Sequence, residues 1–170
     1  MKLINILLVM IGGYYILKIN KQADFIDQFL YPVTSEIPLL KEYMIPNKYL
    51  TLADAIQNFE GWYPGSRSYR NNNPGNMRWN FPVNPFPSKW IGAIGVDETN
   101  HVIFDTYANG RSALIYQISL AFDNKSSIYN NKMTLYEFFE KYAEGNQKQY
   151  AEYVAKQLGV PATTQLSQIV

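Results

Sequence analysis

The stretch from Thr51 to Arg78, TLADAIQNFEGWYPGSRSYRNNNPGNMR, constrains the fold of this chain more than any other. Its first half places Leu52, Ile56 and Phe59 at helical spacing, which predicts a short amphipathic helix with that stripe turned to a core. Thr51 is a good N-cap for such a helix, Asp54 suits the positive end of its dipole, and Gly61 supplies a stop. Glu60 falls on the rim of the apolar stripe, four residues after Ile56. Partial desolvation there raises a carboxyl pKa, which is what a general acid needs near neutral pH. The plain alternative is a solvated Glu in the last turn, and spacing alone does not separate the two.

The second half, Arg70-Asn71-Asn72-Asn73-Pro74-Gly75-Asn76, is too polar for a core. Pro74-Gly75 dictates a turn, and Asn tolerates left-handed backbone. Two uses fit such a loop. It is either a surface turn holding itself together by side-chain to backbone bonds, or a wall of amide donors and acceptors beside the acid, suited to sugar hydroxyls and N-acetyl groups.

Phe59-Glu60-Gly61 followed by RNNNPGNMR resembles a group of phage and bacterial cell-wall lytic proteins of the lysozyme-like superfamily, which carry a catalytic Glu ahead of an Arg-Asn-Asn-Asn-Pro-Gly-Asn loop. The resemblance continues through Trp90-Ile91-Gly92, Gly95-Val96-Asp97, the segment Val102 to Asp105 and Gly110 to Leu114, and ends near Gly159-Val160-Pro161. It thus covers Lys48 to Val170. It implies an α+β, mainly α, lysozyme-like domain with a small β-hairpin wall, and cleavage of the β-1,4 bond between N-acetylmuramic acid and N-acetylglucosamine. Glu60 is the acid/base by position. Arg70, Asn71, Asn72, Asn73, Asn76, Arg78, Phe104 and Tyr107 are the candidate substrate-binding residues. By residue type, Asn73 and Asn76 would hold the N-acetyl group or the C6 hydroxyl, and Arg70 would brace the loop or meet the lactyl carboxylate. Tyr107 would steady charge near an oxocarbenium centre.

The 170 residues suffice for one domain beyond the N-terminus. A net charge of +1 gives no basic field for nucleic acid. Cysteine is absent, and a single His, His101, placed in a turn, argues against a zinc site or a His-based triad; no metal and no cofactor is expected. Met1 to Asn20 contains an uncharged run from Leu3 to Leu17 flanked by Lys2 and Lys18. It is expected to be a single transmembrane helix, short of the roughly 20 apolar residues of a full span, with snorkelling lysines making up the difference. A cleaved signal peptide is the runner-up, for which Lys21-Gln22-Ala23 is a poor cleavage match. The expected organisation is an anchor over 1–20, a Pro-broken juxtamembrane stalk over 21–47 and the lytic domain over 48–170. The expected place is a virion membrane or a bacterial inner membrane, with the domain facing the wall. Lys18 and Lys21 lean against that orientation. The partners that follow are peptidoglycan glycan strands, a lipid bilayer and virion or envelope-machine subunits.

Downstream, Trp90 to Thr106 reads as a β-hairpin around Asp97-Glu98-Thr99-Asn100. It carries the candidates for a second carboxylate: Asp97 and Glu98, solvated in the turn, and Asp105, which is alternatively a cap for the next helix. Gly110 to Phe122 is the central helix, with Leu114, Ile118 and Ala121 or Phe122 inward. Thr134 and Glu137 form a capping box, and Asn146 caps a last helix, Gln147 to Leu158, closed by Gly159 and Pro161. Glu140 and Glu144 fall on solvated positions, while Trp62, Tyr63, Trp79 and Trp90 border the cleft mainly as packing.

Two carboxylates 5–9 Å apart are needed for hydrolysis of the lysozyme kind, at roughly the separation that sets its stereochemistry. A lytic transglycosylase needs one. No carboxylate close to Glu60 in sequence pairs with it, so a transglycosylase is favoured over a muramidase. A non-catalytic glycan-binding or structural membrane protein is the rival from another class.

Overall fold

The computed structural model describes residues 6–11, 14–19, 45–79 and 85–169. It divides into two units, Met1–Ile45 and Pro46–Val170. Residues 20–44, and with them nearly all of the expected stalk, lie outside the described residues, as does the middle of the Pro-rich stretch, 80–84.

In the first unit the described residues form two strands, β1 (Ile6–Ile11) and β2 (Tyr14–Ile19), paired antiparallel from Ile6↔Ile19 to Ile11↔Tyr14. The expected transmembrane helix over 1–20 falls on this unit, whose described residues are extended. Met1 to Asn20 carries five Ile, and β-branched side chains favour extended backbone. Among the described residues no helix is long and apolar enough to cross a membrane.

The second unit is mainly helical. Helix α1 (Asn47–Phe59) starts one turn earlier than Thr51, behind Pro46. The extra turn is held because Tyr49 is buried, with its ring 5.1 Å from Phe122 and its hydroxyl donating to Asp123 at 2.9 Å. Thr51 is therefore no cap: its hydroxyl donates to the Asn47 carbonyl. Asp54, placed mid-helix, pairs with Arg111 at 2.7 Å. Leu52 and Ile56 are fully buried, and Gly61 ends the helix with φ +72°, a conformation that favours glycine.

A one-turn helix, α2 (Arg67–Arg70), follows, capped by Ser66. Then come strands β3 (Ala93–Val96) and β4 (Val102–Phe104), an antiparallel hairpin with an irregularity between Ala93 and Gly95. Helix α3 (Tyr107–Phe122) starts earlier than expected, because Thr106, and not Asp105, caps it. Its stripe of Ala113, Leu114, Ile118 and Ala121 is buried, and it packs on α1 and β4. Helix α4 (Leu135–Tyr142) carries the capping box of Thr134 and Glu137. Helix α5 (Gln147–Leu158) packs on both α4 and α1. Asn146 precedes it in left-handed backbone but makes no side-chain cap. A 3-10 turn, Leu166–Gln168, ends the described chain against α3.

The Asn-rich loop occupies the edge of β4 opposite β3. The Val102 amide donates to the Met77 carbonyl and the Phe104 amide to the Asn71 carbonyl, both at 2.9 Å. Asn73, fully buried, donates to the carbonyls of Met77 (2.8 Å) and Val102 (2.9 Å) while its own carbonyl accepts from the Met77 amide (2.9 Å). Asn72 and Asn76 hold positive φ, as Asn allows. Helix α3 presses on this loop so closely that a Cβ at Gly110 would lie 1.8 Å from the Asn72 carbonyl oxygen.

Two substitutions test this docking. Asn73→Ala strands three backbone groups and should cost about 3 kcal/mol. Gly110→Ala should cost about 2–4 kcal/mol through the clash. Urea unfolding measures both, and a loss below about 0.5 kcal/mol in either would mean that the loop is not held as described.

Candidate functional site

Glu60 sits at the C-terminal end of α1, where helical geometry stops. One carboxylate oxygen accepts from the Tyr150 hydroxyl at 2.9 Å, and the other accepts from the Asn76 side-chain amide at 3.2 Å. Tyr150 is itself clamped: its ring stacks on Phe59 at 3.8 Å and on Phe139 at 4.3 Å. Asn76 is aimed by the left-handed turn after Pro74-Gly75. That turn lies against α3 and α4, with the Gly75 carbonyl accepting from Tyr142 at 2.8 Å. A Cβ at Gly75 would approach the Leu114 side chain to 2.7 Å, so a larger residue there would push that leucine aside.

Glu60 opens onto a cavity of about 610 Å³, lined by parts of α1, α2, the Asn loop, α3, α4 and α5, with Trp90 and His101 beside them. Burial raises the Glu60 pKa above its ordinary 4.5, and the hydrogen bonds from Tyr150 and Asn76, which favour the carboxylate, offset this only in part. Burial and the neighbouring carboxylate in turn hold the phenols of Tyr142 and Tyr150 well above their usual value, so both stay protonated donors.

Of the residues expected to bind substrate, the cavity gathers Asn76 and Arg78 beside Glu60. The others do not line it. Asn71 donates to Asp97 at 2.9 Å, and Asn72 donates to the carbonyls of Phe104 and Asp105. Asn73 is inside the loop's own core, and Arg70 turns back to the Gly65 carbonyl. These four are corrected from ligand contacts to structural ties: Asn72 and Asn73 serve carbonyls of the loop and of the β4 strand and its exit, Asn71 holds the Asp97 carboxylate, and Arg70 holds the Gly65 carbonyl. Phe104 is likewise corrected: at 1% exposure it is a core residue packed beside Trp90. Tyr107 is exposed but lies against Trp62 and donates to Gln57.

The carboxylates proposed as partners for Glu60 are elsewhere. Asp97 is not solvated. Its side chain is one-tenth exposed and accepts from Asn71, from the amides of Thr99 and His101, and from the Thr99 hydroxyl. Burial alone would raise its pKa, but these bonds outweigh it and hold the carboxyl well below the usual range. Asp105 accepts from Asn109, and neither it nor Glu98 lines the cavity. The second carboxylate that does line it is Glu144, expected only as a solvated exit residue; it is paired with Arg78. His101 is no loose turn residue either. It is buried, bridges to Arg78 across the strand edge and lines the cavity. Burial and the neighbouring Arg67 push its pKa down, so it is neutral at pH 7.

Sequence reasoning placed Tyr150 in the core but missed its role. The available signal was its type: a fully buried tyrosine needs a partner for its hydroxyl, where phenylalanine would need none. Arg67, Lys141 and Glu144 carried no signal, since their meeting depends on tertiary packing. No family model, no curated protein and no solved structure matches the chain. Among the described residues no cluster of His, Cys, Asp or Glu forms a metal site.

The raised Glu60 pKa has a signed consequence. The native state keeps this proton over a pH window in which the unfolded state has lost it, so the stability it contributes is full below 4.5 and falls as pH rises through the native pKa. Glu60→Gln removes that loss. The variant should melt above the native protein at pH 7, and the gap should shrink towards pH 4. Calorimetry at both pH values checks it; a variant less stable at pH 7 would mean that the site favours the carboxylate.

Proposed function

We propose that this protein is a lysozyme-like lytic transglycosylase, which cleaves the bond between N-acetylmuramic acid and N-acetylglucosamine in peptidoglycan for local opening of a cell wall. The observation that carries this is Glu60: a carboxyl kept protonatable by burial, fixed by Tyr150 and Asn76, at the wall of a cleft large enough for sugar rings. The first step takes the Glu60 proton to the glycosidic oxygen as the bond to C1 breaks. The resulting carboxylate is then stabilised by the two hydrogen bonds already aimed at it. It next accepts the proton of the muramic acid C6 hydroxyl, whose oxygen closes on C1 as a 1,6-anhydro ring. One carboxyl serves both steps, which suits a cleft where Asp97, Glu98 and Asp105 do not reach.

A hydrolytic muramidase is the second reading, favoured by one observation: Glu144 lines the cleft. Released from Arg78, it would be the base for an attacking water. Mass spectrometry of fragments released from purified peptidoglycan separates the cases. Fragments ending in 1,6-anhydro-muramic acid, lost in Glu60→Gln, are expected. Reducing ends lost in Glu60→Gln and Glu144→Gln would mean hydrolysis. No fragments at all, with wall binding retained, would leave a non-catalytic glycan-binding module.

The uncharged run from Leu3 to Leu17 is proposed to attach the lytic domain to a membrane, of a virion or a bacterial cell, where envelope-machine subunits would be its neighbours. Flotation with liposomes tests this. The full-length protein should float and a version lacking residues 1–44 should not; equal behaviour of the two would end the membrane assignment.

A further inference from the structure

The charged side chains that line the cleft, among the described residues, are Arg67, Arg78 and Lys141 against Glu60 and Glu144. They come from separate elements: α2, the loop end, α4, α1 and the turn before α5. The balance is positive, and it becomes more so whenever Glu60 holds its proton. The anions do not absorb the cations. Arg78 is committed to Glu144 and to the Thr99 carbonyl. Arg67 meets Asp97 only through its Nε, at 3.6 Å, with 41% of its side chain exposed. Asp97 is already saturated by shorter bonds from Asn71, Thr99 and His101, so it has little left to offer Arg67. The terminal nitrogens of Arg67, a rigid fork suited to carboxylate and phosphate, are thereby left for the cleft. The Lys141 ammonium meets no carboxylate among the described residues, although its side chain borders the same space.

We propose that this wall is an anion-binding subsite, in which Arg67 and Lys141 take a carboxylate or phosphate group that the glycan carries beside the bond attacked by Glu60. This rests on the glycan-cleaving reading above and adds a selection rule to it: uncharged N-acetylglucosamine polymers fit the cleft but lack the group that holds them in register. Glu144 already shows the chemistry in place, as a carboxylate seated on a cleft arginine.

The test is calorimetric binding to the full-length Glu60→Gln protein, which cannot turn the ligand over. The probes are peptide-free glycan strands with muramic acid carboxylates, the same strands with those carboxyls reduced to alcohols, and glycerol phosphate oligomers. Charged strands should bind about tenfold tighter than reduced ones, the energy of one charge-assisted contact. That advantage should shrink at about 0.5 M salt. Adding Arg67→Gln or Lys141→Gln should remove most of it and leave the reduced strands unaffected, while Arg67→Lys should restore part. Using two variants at exposed positions guards against a folding defect in one. Competition by glycerol phosphate would assign the site to phosphate-bearing wall polymers, and its absence would assign it to the carboxylate. Equal affinity for charged and reduced strands, or equal weakening of both by Arg67→Gln, would overturn the subsite while leaving glycan cleavage intact. Binding of neither strand, together with no fragments from the native protein, would overturn the glycan-cleaving reading itself.

Discussion

The buried amide of Asn73 is the interaction on which the second unit most depends. Its three hydrogen bonds close the loop on itself through Met77 and tie it to β4 through Val102. A two-stranded hairpin is marginal by itself, and here the loop takes the place of a third strand on the open edge of β4. The same docking fixes the turn that aims Asn76 at Glu60 and the bridge that sets Arg78 beside His101. One amide therefore sets the sheet, the loop and one wall of the cleft together. Apolar packing could not do this work, because the groups to be satisfied are backbone carbonyls and amides in a water-free place.

This arrangement explains why the loop is legible as special while most of its side chains turn to the protein itself. Its polarity and turn chemistry were legible, and Pro74-Gly75 and the left-handed Asn72 and Asn76 follow from residue type. Which side of the loop faces the cavity was not legible. An asparagine that bonds a sugar and one that bonds a carbonyl look alike in sequence, and only the position of β4 decides between them. The helices α3, α4 and α5 were legible within a turn because apolar periodicity and local capping both mark them. The start of α1 was not, because Tyr49 is drawn into the helix by Phe122 and Asp123, more than seventy residues away.

Glu60 shows how a fold can hold an acid between two states. Burial in an aromatic setting favours the neutral form, while Tyr150 and Asn76 favour the charged one, and burial wins. A site with more donors would keep a permanent carboxylate, as Asp97 shows in the same domain: less deeply buried than Glu60, it accepts four close hydrogen bonds and stays ionised. Depth of burial and the number of donors aimed at each carboxyl together separate the two. The hairpin uses one carboxylate as a fixed anion that organises its turn, and the cleft keeps the other able to exchange a proton.

Asn76 extends that contrast. Its amide nitrogen faces the carboxylate, while its carbonyl oxygen is buried with no hydrogen-bond partner among the described residues. A carboxylate needs a donor at this place, and a protonated carboxyl needs an acceptor. An amide offers both at nearly the same shape and exchanges them by a half-turn of its side chain. Aspartate or leucine at this position would serve only one protonation state or neither. An asparagine with one unsatisfied end costs the folded protein some stability. That cost has a physical rationale where the group it faces must lose and regain a proton in the same cycle.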